Sequence, residues 1–206
     1  MMSHDMSNQR LIVAMTGASG AAYGLRLIQR LGLAGVRQEL LISEAARVVL
    51  KQEVDIDLPE DAGAQAGFLA EHLGIDASLI KSYALKDWFS PAASGSAGIG
   101  SMAIVPCSMG TLARIATGAS DNLIERAADV MLKERGRLVL MPRETPLSSI
   151  HLEHMLKLSN MGVHIIPAMP GFYHRPQGID ELVDFMVDRV MSHLDLSPGD
   201  MRRWGA

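Results

Sequence analysis

Short apolar segments alternate with longer amphipathic segments along this chain. Five of the short segments are apolar nearly throughout, which is typical of strands covered on both faces. They are Leu11–Thr16, Glu39–Ser43, Met102–Cys107, Leu138–Pro142 and Val163–Ala168, and Ile80–Leu85 is a weaker candidate. Helical spacing predicts Ala21–Leu33, Glu44–Gln52, Gln65–Leu73, Met109–Thr117, Asn122–Arg135, Ser149–Asn160 and Ile179–Leu194. This alternation predicts an α/β fold, a parallel sheet with helices on both faces.

The chain has 206 residues, which fits one domain, and we expect residues 1–9 and roughly 195–206 to be tails. One stretch, Ser90–Gly100, is rich in glycine, serine and alanine. It fits either a flexible surface loop or a loop that covers a ligand. Core strands continue after it, so it does not mark a domain boundary.

Composition narrows the function classes. The net charge of −4 disfavours proteins that bind nucleic acid or anionic membranes. The single cysteine, Cys107, cannot form an internal disulfide, which fits a reducing compartment. The start of the chain is polar, and no apolar run approaches the roughly 18 residues of a membrane helix. We therefore expect a cytoplasmic protein.

A glycine-rich turn follows the first predicted strand in the segment LIVAMTGASGAAYG. Gly17, Gly20 and Gly24 allow a tight turn and close approach of backbone and helix, and Ser19 adds a hydroxyl. Free amides at the start of the next helix would form an anion site. Glycine is also common at ordinary strand-to-helix turns. Because GxGxxG and GxxxxGK[ST] are both absent, and the second strand ends in Ser43 rather than an acidic residue, a mononucleotide phosphate fits best.

Polar residues follow several other predicted strands. Ligands of open α/β sheets bind at the carboxyl ends of the strands, so these residues would gather at one edge. Each alone is ordinary turn or cap chemistry, but together they indicate a ligand site. They are Ser43, Ser108, Met109, Gly110, Thr111, Arg143, Glu144 and Tyr173.

Two cations, Arg126 and Lys133, lie seven residues apart on one predicted helix and so share a face. They fit a solvated surface paired with Glu125 and Asp129. Together with Arg143 they also fit a clamp for a dianionic phosphate. Spacing alone leaves both interpretations open.

The histidines and the cysteine do not suggest a metal site. His151 and His154 lie three apart on a predicted helix, but HExxH is absent, so we expect capping or surface roles. Cys107 ends a predicted strand, where a small buried side chain is the expected role.

Several long strings resemble the UbiX family of flavin prenyltransferases, from about Leu11 to Trp204. The matching strings are MTGASGAAYG (Met15–Gly24), LIS (Leu41–Ser43), PCSMGTL (Pro106–Leu112), NLIERAADVMLKE (Asn122–Glu134), LVLMPRETPLSSIHLEHMLKLSNMG (Leu138–Gly162), PAMPGFYHRPQ (Pro167–Gln177) and RRWG near the end. Because they occur in the family's order, they are far more specific than a glycine turn.

The resemblance implies a Rossmann-like flavoprotein and a homododecamer whose sites lie between subunits. It implies FMN contacts at Gly17, Ala18, Ser19, Ser43, Ser108, Met109, Gly110, Thr111 and Arg143. Met109 replaces the threonine of some relatives, so we expect a contact from its backbone only. The prenyl phosphate would be held by Arg126, Lys133, Arg143, Tyr173 and Arg189. The remaining active-site residues would be Ser19, Glu53, Trp88, Glu144 and Trp204.

The reaction implied by the resemblance transfers a dimethylallyl group from dimethylallyl phosphate to nitrogen 5 and carbon 6 of reduced FMN. Glu53 would be the base, Glu144 and Ser19 would relay protons, and Trp88 would offer a π-face to the allyl cation. No metal is implied. The product, prenylated FMN, would serve a UbiD-type decarboxylase.

Two alternatives remain. A flavin-dependent cysteine decarboxylase shares the flavoprotein fold, but the PxMNxxMW-like segment of those enzymes is not found in this sequence. A non-catalytic FMN-binding protein would leave the carboxylate pair and the phosphate clamp unexplained.

Overall fold

The computed structural model describes residues 9–196, which contain a six-stranded parallel sheet. The strands are β1 (Arg10–Met15), β2 (Arg37–Ile42), β3 (Ile80–Ser82), β4 (Ser101–Cys107), β5 (Arg137–Pro142) and β6 (His164–Ile165). They lie in the order β3-β2-β1-β4-β5-β6, and every neighbouring pair is parallel. The predicted α/β class and parallel sheet are confirmed.

Seven α-helices connect the strands within these residues. They are α1 (Ala21–Leu33), α2 (Glu44–Val54), α3 (Ala62–Leu73), α4 (Met109–Thr117), α5 (Leu123–Lys133), α6 (Ser149–Asn160) and α7 (Ile179–His193). The predicted bounds of α1, α4 and α6 are confirmed, and the others differ by one to three residues at an end. Within residues 9–196, every helix is too short or too polar to span a bilayer.

Both faces of the sheet are covered. On β1, Val13 and Met15 belong to a core with α1, α2, α3 and α7, whereas Ile12 and Ala14 belong to a core with α4, α5 and α6. Side chains alternate between faces along a strand, so a strand covered on both sides must be apolar at every position. That requirement explains why the strands appear as continuous apolar runs.

Serine side chains cap the starts of α2, α4 and α6. Ser43 Oγ accepts a hydrogen bond from Ala46 N at 3.0 Å at the start of α2. At the start of α6, Ser148 Oγ accepts from His151 N at 3.2 Å, and His151 Nδ1 accepts from Ser148 N at 3.3 Å. These bonds satisfy amides that have no partner within the helix. The expected capping role of His151 is confirmed.

Two segments differ in structure from what their sequence predicts. The predicted strand Val163–Ala168 is a two-residue β6, although Ile166 N and Ala168 N still bond to Leu140 O and Pro142 O at 2.8 and 2.9 Å. The stretch Ser90–Gly100 contains two 3-10 turns and is packed, with Ala92 buried. Ala92 and Ile99 attach the stretch to the core, and its role as a surface loop or a ligand-covering loop stays a prediction.

The strand order creates a reversal beside β1. The chain moves outward from β1 through β2 to β3 and then returns to the other side of β1 with β4. The connections that leave β1 and β4 therefore run in opposite directions along the sheet. This reversal leaves a crevice at the carboxyl ends of the two strands. The glycine turn and Ser108 follow these two strands directly, so both border the crevice.

The packing of α1 near this crevice depends on Gly24. A Cβ there would lie 2.6 Å from Val105 O and 2.6 Å from Met15 Cε, and the carbonyl cannot yield. We expect Gly24→Ala to destabilise the protein by about 1–3 kcal/mol through overpacking. Gly67→Ala on α3 is the matched control, because its Cβ would meet nothing within 4 Å and alanine favours helix. Urea unfolding measures both, and equal stabilities of the two variants would contradict the prediction.

Candidate active site

Thr16 joins the turn after β1 to the end of β4. Its Oγ1 donates to Pro106 O at 3.0 Å and accepts from Ser108 N at 2.7 Å. Sequence reasoning assigned no role to Thr16. The available signal was a polar side chain at the end of an otherwise apolar strand. The two hydrogen bonds fix the relative position of the first turn and the start of α4.

The glycine turn packs closely on α2. A Cβ at Gly17 would lie 2.5 Å from Ala45 Cβ, so only glycine fits this approach. Gly20 has φ 114°, a left-handed conformation that side chains rarely adopt. The turn therefore needs glycine at both positions for different reasons, one of space and one of backbone conformation.

The amides at the start of α1 bind a carboxylate from the protein itself. Glu53, in the last turn of α2, accepts from Gly20 N and Ala21 N through Oε2, both at 2.9 Å. The expected free anion site at this helix is thus occupied by Glu53. A carboxylate there is stabilised by the amides and by the positive end of the helix dipole.

Glu53 also interacts with two other predicted site residues, Ser19 and Arg143. Burial acts to raise the pKa of Glu53, but hydrogen bonds from the Ser19 hydroxyl and the two amides, with the attraction of Arg143, outweigh it and lower the pKa. Glu53 is therefore ionised at neutral pH. The structure brings Ser19, Glu53 and Arg143 together, although nothing in their spacing along the chain indicates it.

The start of α4 supplies a second set of donors beside the turn. Ser108 Oγ lies 3.0 Å from Thr111 Oγ1 and accepts from Thr111 N at 3.3 Å. Met109 is buried and Gly110 is exposed. Hydroxyls and helix-terminal amides at a strand end fit the phosphate of a mononucleotide. This end of α4 is the better candidate for that phosphate, because Glu53 occupies the start of α1.

The end of β5 adds charged groups to the same edge. Arg143 and Glu144 follow β5 directly and are exposed, and Glu144 Oε1 accepts from Thr145 N at 3.0 Å. Tyr173 follows the extended segment after β6 and is 55% exposed. Their position after neighbouring strands agrees with the predicted gathering of polar residues at the carboxyl edge.

Lys133, another residue of the predicted phosphate clamp, lies at the opposite end of β5 from Arg143. Lys133 ends α5 shortly before β5 begins, whereas Arg143 follows the last residue of β5. Six residues of strand separate the two ends by about 20 Å, and the interior of β5 is buried. Lys133 and Arg143 of one copy therefore lie too far apart to hold one phosphate, and a clamp that uses both residues stays a prediction that requires a second copy.

Arg126 and Lys133 both have partners on or near α5. Arg126 pairs with Asp129 at 2.8 Å, and its Nε donates to Ala93 O at 3.0 Å. Lys133 pairs with Glu134. The pairing of Arg126 with Asp129 was one of the two sequence-based interpretations, whereas Glu125 is buried and pairs with Arg114 instead.

A cavity of about 340 Å³ adjoins Lys133 between the ends of α4, α5 and α6. Its charged lining includes Lys133, Lys157, Glu125 and Asp129. The remaining lining is mainly small or apolar. Lys133 is thus on an accessible surface, away from the edge that carries Arg143.

The other predicted residues are more dispersed. Trp88 lies in the turn after β3, is 45% exposed, and has the Lys86 ammonium 5.8 Å from its ring centroid. Arg189 is exposed on α7. Trp204 lies outside the described residues. Cys107 is buried, and burial raises its pKa to about 12, so the expected structural role is confirmed and a nucleophilic one is not supported.

The parallel sheet and the candidate site at the β1/β4 crevice are typical of the Rossmann-like class of proteins, which bind nucleotides at such a crevice. A sequence model of the family described as Flavoprotein matches residues 1–191. Flavin prenyltransferase UbiX of Pseudomonas aeruginosa is 53% identical to this chain, over 96% of this chain and 94% of its own length. The chain belongs to the UbiX flavin prenyltransferase family.

Solved structures agree with this membership. A crystal structure of AnUbiX (PadA1) in complex with FMN and dimethylallyl pyrophosphate is 40% identical, with a TM-score of 0.84 over 96% of this chain and 98% of that one. A dodecameric FMN-dependent UbiX-like decarboxylase from Escherichia coli O157:H7 is 41% identical, with a TM-score of 0.82 over 96% of this chain and 100% of that one.

The Glu53 contact has a pH-dependent consequence. Because the folded pKa is lowered, its stabilising effect is present above the ordinary carboxyl pKa and is lost as the pH falls through the lowered value. We expect Glu53→Gln, which keeps an acceptor oxygen, to lower the free energy of unfolding by about 1 kcal/mol at pH 7. The loss is no larger because solvent screens the charge of this partly exposed carboxylate. The loss should shrink toward pH 4.

Chemical unfolding at both pH values measures this difference. Glu71→Gln is the matched control, since it removes a charge from an exposed position on α3. A Glu53→Gln loss that is the same at pH 7 and pH 4, or no larger than that of the control, would show that the charge on Glu53 does not stabilise the turn.

Proposed function

We propose that this protein is a flavin prenyltransferase that transfers a dimethylallyl group from dimethylallyl phosphate to reduced FMN, forming prenylated FMN. The observation that carries the proposal is the assembly of Ser19, Glu53 and Arg143 at the glycine turn. Each matches a family site position, and the fold brings them together from three different elements. Identity above 40% over nearly the whole chain supports the same function.

The residues at the crevice fit FMN. Ser108 and Thr111 at the start of α4 would bind its phosphate with the helix amides and Arg143. The rest of the FMN molecule would be bordered by Ser43, Gly110 and the backbone of Gly17, Ala18 and Met109. When bound, reduced FMN supplies a nucleophilic nitrogen and a nucleophilic carbon for the allyl group. The protein supplies positioning, charge and proton transfer.

Two carboxylates divide the proton chemistry. Glu53 is ionised at neutral pH and hydrogen-bonded to Ser19, so it can accept the proton that must leave when the second bond forms. Glu144 is exposed at the end of β5 and would return a proton to the departing phosphate or the tertiary carbon. Holding Glu53 on two amides fixes the direction from which it acts.

Cations and an aromatic ring complete the proposed mechanism. Arg143 and the Tyr173 hydroxyl would stabilise charge on the departing phosphate, together with Arg189. Trp88 would offer its π-face to the allyl fragment, which becomes cationic as the carbon–oxygen bond breaks.

The separation of Lys133 from Arg143 leads to a shared site. We propose that Arg126 and Lys133 of one copy face Arg143 of another, in a homo-oligomer that we expect to be a dodecamer. Large apolar side chains on and just after α6 are exposed and suit such contacts: Ile150, Leu152, Leu156 and Met161. A dodecameric relative of the same fold is consistent with this assembly. We also propose a cytoplasmic location, which the single cysteine suits.

Mass spectrometry of the flavin tests the proposed function. We expect the flavin recovered after anaerobic incubation with FMN, reductant and dimethylallyl phosphate to gain one dimethylallyl group. The diphosphate is run in parallel, because a relative was crystallised with it. Unmodified flavin in both reactions would contradict the proposal. Carbon dioxide release from a cysteine-terminated peptide would instead support a cysteine decarboxylase. Tight FMN binding without either reaction would support a non-catalytic FMN-binding protein.

We further propose that the product serves a separate UbiD-type decarboxylase. Polar groups at the crevice are accounted for by one flavin and one phosphate, which leaves no dedicated position for an aromatic acid. The test is to filter the reaction mixture and add the small-molecule fraction anaerobically to an inactive apo-decarboxylase. Activation supports the proposal. Decarboxylation of an aromatic acid by this protein alone would overturn it.

The shared site predicts complementation between two inactive variants. We expect Lys133→Ala and Arg143→Ala each to slow prenyl transfer by about 100- to 1000-fold, since each removes a preorganised donor. When the two variants are co-assembled at equal amounts, about a quarter of the sites receive intact Lys133 from one copy and intact Arg143 from another. Activity should recover to that fraction of the wild-type rate.

Lys157→Ala is the matched control for this experiment. Lys157 lines the same cavity as Lys133, but no site role is proposed for it. A loss from Lys157→Ala equal to that from Lys133→Ala would assign the effect to the overall charge of the cavity. Failure of the co-assembled variants to recover any activity would contradict the shared site.

A further inference from the structure

We propose that Phe185 on α7 is a positioning residue that holds the Tyr173 ring beside Arg189, with Gly171 and His174 completing the support. The proposal rests on the function above and deepens it, because Tyr173 and Arg189 are the expected phosphate contacts on this side of the site. None of the supporting residues is itself expected to touch the substrate.

Tyr173, His174 and Phe185 form a cluster of three rings. The Tyr173 ring meets Phe185 edge to face, with centroids 5.7 Å apart and planes at 79°. It meets His174 in the same way, at 5.6 Å and 80°. His174 in turn stacks on Phe185 at 5.1 Å with planes only 6° apart. Edge-to-face and offset-stacked rings are the favoured arrangements, so the cluster defines one orientation of Tyr173.

Gly171 provides the space for this arrangement. A Cβ there would lie 2.9 Å from Tyr173 Cε1 and 3.2 Å from Phe185 Cζ, so a side chain would push the rings apart. Gly171 is not among the residues with positive φ. Its glycine is therefore required by ring packing and not by backbone conformation.

His174 contributes a flat surface to the cluster. Both of its ring nitrogens are buried and have no hydrogen-bond partner within the described part of the chain. Buried nitrogens without partners cost free energy, so the contact that keeps the ring in place is its stack on Phe185. A phenyl ring at position 174 should serve the same purpose.

Phe185 connects Tyr173 to Arg189 through the geometry of α7. The two α7 residues are four apart, so their side chains lie on the same face, one turn from each other. The helix itself is anchored: Arg26 and Arg30 of α1 pair with Asp184 and Asp188 at 3.2 and 3.1 Å. Tyr173, in contrast, lies outside the helices and strands and is 55% exposed. Phe185 is thus the rigid surface that places an exposed loop residue next to Arg189.

The first test measures substrate affinity without turnover. Calorimetry of dimethylallyl phosphate binding to the enzyme loaded with oxidised FMN avoids the reaction, because oxidised flavin lacks the nucleophile. We expect Phe185→Leu and Gly171→Ala to weaken binding by about 10-fold, since an unsupported ring must be ordered on binding. Phe185→Tyr and His174→Phe should bind within about 2-fold of wild type, because both keep the stacked rings.

A double-mutant cycle shows whether Phe185 acts through Tyr173. Phe185→Leu should raise KM for dimethylallyl phosphate more than it lowers kcat. In a Tyr173→Phe background, which already lacks the hydroxyl, the same substitution should have little further effect. Gly178→Ala in the same connection is the structural control, since its Cβ would meet nothing within 4 Å and its φ of −166° suits any residue.

The outcomes separate this inference from the proposed function. Additive losses from Phe185→Leu and Tyr173→Phe, or unchanged affinity in both Phe185→Leu and Gly171→Ala, would overturn the positioning role. A wild-type enzyme that binds dimethylallyl phosphate but leaves the flavin unmodified would overturn the proposed reaction alone. A crystal structure of Phe185→Leu adds a readout independent of substrate: an unmoved Tyr173 ring would also overturn the inference.

Discussion

The carboxylate of Glu53 on the first amides of α1 is the interaction on which the arrangement of this site depends. It joins the end of α2 to the start of α1 and closes the glycine turn from one side, while Thr16 closes it from the other. A charged acceptor on two backbone donors is a strong, directional contact. It also keeps an ionised carboxylate beside Ser19 and within the field of Arg143, where proton transfer would be needed.

This internal anion changes how the glycine turn functions. In many nucleotide-binding folds the first helix after the first strand binds the ligand's phosphate through its amides. Here the protein's own carboxylate fills that position, which is why we propose the start of α4 for the mononucleotide phosphate. The two neighbouring helix starts would then have different tasks, one in proton chemistry and one in ligand binding.

The length of β5 imposes the second constraint. The predicted phosphate-binding residues fall into two groups, one at each end of this strand, and a covered strand interior separates them. A single copy holds the proposed flavin-binding residues together, but it keeps Lys133 and Arg143 at opposite ends of β5. Exposed apolar side chains around α6 are consistent with a partner copy supplying the missing cations. Assembly would then be part of the catalytic apparatus.

The sequence alone determined the fold class, most helix bounds and the residues at the carboxyl edge. Short continuous apolar runs that alternate with amphipathic segments indicate strands covered on both faces, and the family strings indicated the family and its candidate residues. Only the tertiary structure decided which of these residues meet. The contact of Glu53 with Gly20 and the separation of Lys133 from Arg143 depend on strand order and on where helices end in space. Neither leaves a periodic signal along the chain, because contacts between distant segments are set by packing and not by local residue spacing.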